Sequence, residues 1–396
     1  MWTIMSMWRS VRIRLPNVSD IQVFVLLFSQ VISAQIAFYP LIVLGIARGL
    51  TKSVRCNEAI AGFLLIGFVT LSILLRGASI ELLTKLLQFY FGIVFVIAAF
   101  SLDRKLRIGA GQVWIFVGLV FYEVISYSIF DIQPITHQHP DIVNAEPGER
   151  ASIGLGVVRA YGPAVNSSVS GSILAIMFFL FYTNRSVRQN IDTSSSTYLL
   201  GCVFLAFVLC GSVTAYLTFG LLVGLSFPRI MRKWKFEKAV RGYTTESTKT
   251  FKRLIVVLGF LLCCYLLSDF LEALIGSRVN FRYLEFIWNF KSEQASRLSS
   301  FSDVLFGVDL VGMTPSETGG DFVLFDAVQK VGLLGVFGLL AALYYFCPRE
   351  NRVFLLAGYL SSLHYGTIFV LCGQVFFGAL CANSIALSRP AEIIRR

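Results

Sequence analysis

The sequence predicts an all-α, polytopic membrane protein of about twelve transmembrane helices. Three observations predict it. The chain is 56% hydrophobic and 14% charged, with a mean hydropathy of +0.72, the balance of a membrane-embedded bundle rather than a soluble globule. Apolar runs of spanning length cover most of the chain. Most of the 34 basic residues gather at alternate ends of those runs, as cytoplasmic loops require.

In order, the runs are 21–47, 59–75, 80–100, 111–130, 166–183, 197–227, 254–275, 322–346 and 353–387. About 20 residues cross ~30 Å of hydrocarbon, so the first, sixth and ninth are too long for one straight helix. Each of these three has basic residues at both ends: Arg14 and Arg48, Arg188 and Arg229, Arg352 and Arg389. If lysine and arginine mark the cytoplasm, each run must enter and return. They read as tight helical hairpins turning near Ala34 and Gln35, Gly211 and Ser212, and His364 to Gly366. That gives twelve helices with both termini inside, and the single membrane domain fills residues 1–396.

On this topology 25 of the 34 Lys/Arg lie on the cytoplasmic side. The net charge of +11 is then a topology signal and needs no nucleic-acid partner. The N-terminus reads as a basic stub (Arg9, Arg12, Arg14) before a retained anchor, with no short cleavable signal peptide. The basic cytoplasmic loop 228–253 suits contact with anionic membrane lipids, and no P-loop or dinucleotide-type glycine cluster is present. Two long loops face outward, 131–165 and 276–321, and none of the eight cysteines falls in either, so no disulfide framework is expected there.

Nine basic residues remain on the outer side: Arg76, Lys85, Arg150, Arg159, Arg278, Arg282, Lys291, Arg297 and Lys330. Arg76 and Arg150 read equally well as interfacial snorkelling residues. Arg159 stands out because the sequence continues Tyr161, Gly162, Pro163 and Asn166 into the serine-rich start of an apolar run. A helix N-terminus offers N–H groups and a partial positive charge, and a guanidinium fork suits phosphate. This favours an anion site over a capped helix with a surface arginine. In the second loop, apolar residues from Phe281 to Trp288 and from Leu298 to Leu305 recur at helical spacing, which predicts amphipathic helices. The polar side of these helices carries Arg278, Arg282, Lys291 and Arg297. Asp326 and Lys330 lie four apart and are expected to pair; Asp321 fits an N-cap as well as a catalytic carboxylate. No Asp-x-Asp occurs, and His137 and His139 lack a third ligand, so no metal and no cofactor is expected.

Two segments carry a family likeness: RAYGPAVNSSVSG (159–171) and SRLSSFSDVLFGVDLVG followed by GGDFVLFDAVQKVGLLGVFGLL (296–340). In them the chain resembles the O-antigen polymerase/O-antigen ligase superfamily of bacterial envelope glycosyltransferases. The first is similar to the family's Arg-x-x-Gly-x-x-x-Asn pattern before a helix. The second is similar to its arginine, amphipathic helix, Gly-containing turn, polar residue opening a helix, and Gly-Leu-Leu-Gly run. Ligases carry a histidine where this chain has Gly320 and Asp321, which favours polymerase. The family's Ser-Arg at the second hairpin turn is here Gly211 to Thr214, without arginine.

The resemblance implies a GT-C-like enzyme of the bacterial inner membrane with its active site toward the periplasm. Its substrate would be an undecaprenyl-pyrophosphate-linked oligosaccharide, and a chain-length regulator would be a protein partner. Transfer would invert the anomeric carbon without metal. Arg159 and Arg297, with Arg278 or Arg282, would hold the pyrophosphate; Asp321 or Asp326 would be the base, with Tyr161 and His139 as alternatives; Tyr161, Asn166 and Lys330 would complete substrate binding. The rival readings are a polysaccharide ligase and, from another class, a lipid-linked oligosaccharide flippase.

Overall fold

The computed structural model describes residues 18–32, 39–50, 56–130, 160–183, 193–212, 214–225, 298, 300–308, 310, 323–363 and 365–387. Among them the fold is helical, with no strand beyond one parallel bridge between Ile108 and Ile385. Besides the single helical turn Ser29–Ile32, the helices are α1 Val18–Leu27, α2 Tyr39–Leu50, α3 Cys56–Leu75, α4 Ile80–Leu102, α5 Ala110–Ser128, α6 Ser167–Thr183, α7 Thr193–Cys210, α8 Thr214–Leu225, α9 Phe301–Phe306, α10 Val323–Phe346, α11 Arg352–Ser361 and α12 Leu371–Cys381. Apart from α9, each matches an apolar run or one arm of a predicted hairpin. The run 254–275 and the amphipathic helix expected from Phe281 lie outside the described residues.

Among the described residues, three helices are long and apolar enough to cross a membrane: Ile80–Leu102, Ala110–Ser128 and the stretch Asp326–Phe346 of α10. The other apolar stretches, Gly62–Leu75 of α3 among them, hold 10–17 residues. α11 and α12 hold 10 and 11 residues, and at 1.5 Å per residue each covers about half the hydrocarbon thickness. The third predicted hairpin therefore has half-length arms. Its connection is a wound turn in which Phe369 N–H donates to the Gly366 carbonyl (2.8 Å) and Ile368 N–H to Ser362 Oγ (3.1 Å). Thr367 and Ile368 are fully buried. Non-helical backbone survives in such a bundle only when buried and satisfied in this way.

α12 is the centre of the molecule, with every residue buried. It packs on α1, α4, α6 and α11. α4 carries a π-turn at Leu87–Phe91, which leaves main-chain carbonyls without their usual donor. Gln374 of α12 supplies one: its Nε2 donates to the carbonyls of Gln88 (2.8 Å) and Phe89 (3.1 Å), and its Oε1 accepts from the Tyr39 hydroxyl (2.9 Å).

The two ends of the bundle differ. At one end Arg48 pairs with Asp103 (3.0 Å), and the Asn351 amide donates to the Leu380 carbonyl (3.0 Å). These residues belong to the turns that the charge pattern assigns to the cytoplasm, and this is called the basic end below. At the other end lie Arg76, the turn after α7, and α9.

Candidate functional site

The end opposite the basic end, called the outer end below after the side to which the charge pattern assigns it, contains two polar nodes. The first is built on Glu123, the one Asp, Glu, Lys or Arg in the run 111–130 and fully buried on α5. Its carboxylate accepts the N–H groups of Tyr161 (3.1 Å) and Gly162 (2.7 Å). The same loop is tied to α7 by Ala160 N–H donating to the Leu209 carbonyl (3.0 Å). Gly162 has φ +65, and an added Cβ would stand 2.8 Å from Ser170 Oγ. The sequence thus folds here because a left-handed glycine lets two successive N–H groups face one buried carboxylate. Ser168 and Ser212 hydroxyls meet at 2.7 Å, joining α6 to the turn between α7 and α8.

Tyr161 is half-buried at this node. Asn166 caps the helix that follows it. Its Oδ1 accepts from Ser168 N–H (2.9 Å) and Val169 N–H (3.1 Å), the N-cap arrangement. Two of the donors that a helix mouth would offer an anion are therefore occupied by the cap, and a substrate contact from Asn166 is left to its amide nitrogen.

The second node lies on α10. Asp326 and Lys330 are both buried, 3% and 2% exposed, and share one face as their spacing predicts. Charges at such depth cost about 2.5–3.5 kcal/mol each on insertion scales, so they are rare without a purpose. Asp326 interacts electrostatically with Tyr90, a residue of the π-turn.

α10 is not straight. Gly332 adopts φ 72, ψ 168, a region essentially confined to glycine. Val323 lies beside Gly366 and Phe89, part-way along α4, whereas Lys330 meets Arg76 at the outer end of α3. Beyond Gly332 the helix descends along α3, past Val69 and Leu65. The corner at Gly332 thus carries Asp326 below the outer rim.

Arg76 clamps this corner. Its guanidinium donates to the carbonyls of Lys330 (2.7 Å), Val308 (2.9 Å) and Ser72 (3.3 Å). Val308 N–H in turn donates to the Gln329 carbonyl (2.8 Å). The helix α9 before it begins with a Ser300–Asp303 capping box and closes over Gly332. Arg76 is therefore a structural bolt between the predicted amphipathic helix and α10, not a snorkelling surface cation.

α11 packs against both α6 and α10, so the two nodes border a common helix. Arg159, Arg278, Arg282, Arg297 and Asp321 lie outside the described residues. Sequence reasoning missed Glu123, Tyr90 and Gln374. Glu123 was findable, as a lone carboxylate within an otherwise apolar run; Tyr90 and Gln374 matter through a π-turn that no local pattern announces. Comparison with protein-family models, curated proteins and solved structures gives no match.

Proposed function

We propose that the chain is a membrane glycosyltransferase, a GT-C-like polysaccharide polymerase of the bacterial inner membrane. It transfers a growing glycan from undecaprenyl pyrophosphate onto the non-reducing end of a lipid-linked repeat unit at the periplasmic face. The observation that carries this reading is the buried Asp326 and Lys330 on one face of a cornered helix, inside the segment that resembles the polymerase/ligase superfamily. Buried ionisable groups in a membrane bundle mark functional sites by default.

The chemistry asks little of the protein. An acceptor hydroxyl attacks the anomeric carbon from the face opposite the pyrophosphate, and the carbon–oxygen bond to the pyrophosphate breaks, the electron pair leaving with the phosphate. Arg159 and Arg297, with Arg278 or Arg282, hold that leaving group and stabilise its growing charge; a single well-placed donor of this kind is worth about 3–4 kcal/mol. The hydroxyl proton passes to a carboxylate, Asp326 or Asp321. Lys330, Tyr161 and the Asn166 amide nitrogen orient the sugars. The Glu123 carboxylate holds the Tyr161–Gly162 turn and, through it, the chain that leads back to Arg159.

A deletion strain tests the reading. Loss of a polymerase leaves single repeat units on the final acceptor, whereas loss of a ligase leaves none and loss of a flippase leaves units stranded inside. In complementation, Arg159→Ala and Arg297→Ala should abolish long polysaccharide at unchanged protein level, and the lysine variants should rescue poorly because the planar fork is lost. Normal chain-length ladders from both alanine variants would end the proposal.

A further inference from the structure

The basic end of the bundle holds a groove of about 540 Å³ that the proposed chemistry does not use. Its walls are apolar, formed by Phe63 of α3, Phe95 and Ala98 of α4, and Phe346 of α10. At its mouth stand Arg104 and Arg107, with the polar residues Asn383 and Ser384 beside them.

The arginines at this end divide into two kinds. Arg48 is paired with Asp103 (3.0 Å). Arg352 lies 4.4 Å over the Tyr344 ring and donates to the Cys347 carbonyl (3.2 Å). Arg104 and Arg107 make no ion pair among the described residues, and the nearby carboxylate, Asp103, is already committed to Arg48. Two uncommitted guanidinium groups above an aromatic-walled slot form a site with one charged end and one greasy end. A soluble anion would use only the first and an apolar molecule only the second. An anionic lipid uses both, its phosphate on the arginine forks and an acyl chain along Phe63, Phe95 and Phe346.

We propose that this groove is a binding site for an anionic phospholipid of the leaflet facing the basic end, recognised by Arg104 and Arg107. The site is separate from the outer-end nodes and independent of the glycosyltransferase reading. It anchors the junction of α3, α4 and α10 at the end opposite the Gly332 corner.

The test uses the full chain in detergent, titrated with phosphatidylglycerol or phosphatidylcholine and read by native mass spectrometry. Wild type should retain phosphatidylglycerol in preference. The double variant R104Q/R107Q should lose roughly thirtyfold in its affinity, in line with about 1 kcal/mol for each of the two basic residues near an anionic headgroup. Ala98→Trp, which fills the slot without altering charge, should lose a similar amount, whereas Lys105→Gln, exposed and outside the groove, should not. Excess glycerol phosphate should fail to displace the lipid. Equal retention of the two lipids by wild type, or wild-type retention of phosphatidylglycerol by R104Q/R107Q, would overturn the proposal. So would retention that survives Ala98→Trp, because charge at the surface alone would then explain it.

Discussion

Gly332→Ala should destabilise the protein more than any other single methyl addition on α10. The main-chain conformation at Gly332, φ 72 and ψ 168, costs a residue with a Cβ of order 1–3 kcal/mol. The new methyl would also stand 2.6 Å from the carbonyl carbons of Leu305 and Phe306. Those are backbone atoms and cannot rotate aside, so α9 must lift. Lifting it breaks the Arg76 clamp on the Val308 and Lys330 carbonyls and exposes both to an environment with few alternative partners. The combined loss is about 3–5 kcal/mol, a large share of a typical stability of about 5–15 kcal/mol. Detergent-solubilised protein should melt about 5–10 °C lower, or lose its monodisperse peak on size exclusion. Gly118→Ala is the control, since nothing lies within 4 Å of its added methyl, and a helical alanine there should be neutral or slightly stabilising. Equal melting of Gly332→Ala and wild type would show that α10 does not turn as described.

Glu123→Ala is the second large effect. Removing the carboxylate strands the N–H groups of Tyr161 and Gly162, which it accepts at 3.1 and 2.7 Å, in a fully buried position. Each orphaned donor costs about 1–3 kcal/mol, and the loop 160–166 then loses its tie to α5 while keeping those to α6 and α7. Thermal stability should fall by about 3–5 kcal/mol, and the loop should become accessible to a thiol reagent at an introduced Tyr161→Cys. Glu123→Gln keeps the shape and one acceptor oxygen, so it should lie between the two. Identical melting and labelling for Glu123→Ala and the parent would remove Glu123 from the architecture of this node.

Much of the helical plan was legible because burial in lipid imposes simple rules. Apolar runs and flanking charges located the helices, and the breaks at Gly211 and around Gly366 fall where two opposed basic flanks demand a return. The half-length arms of α11 and α12 were not legible. A run such as 353–387 is apolar throughout, and the difference between a full hairpin and a buried turn depends on partners far away in sequence, such as Val323 and Phe89 against Gly366. The corner at Gly332 was hidden for the same reason: Gly332 sits in VGLLG like any membrane-helix glycine, and only the approach of Leu305 forces its conformation.

The candidate site divides in the same way. That Asp326 and Lys330 share a face could be read from spacing, and both are buried. Asn166 stayed open between two readings because a capping asparagine and an anion-binding one look alike in sequence, both preceding a helix; its Oδ1 caps α6. Arg76 was ambiguous because its partners are carbonyl groups, which leave no trace in residue identity.

The central claim is that arginines from the two outer segments receive the pyrophosphate of a lipid-linked glycan. It is tested most directly by reconstituting the purified protein in nanodiscs with undecaprenyl-pyrophosphate-linked repeat units and resolving the products on a gel in the presence of EDTA. Wild type should build chains of many repeats, while Arg159→Ala and Arg297→Ala should each fall by about 100-fold or more. Absence of any elongation by the wild type under conditions where it is folded, or wild-type elongation by both variants, would contradict the account.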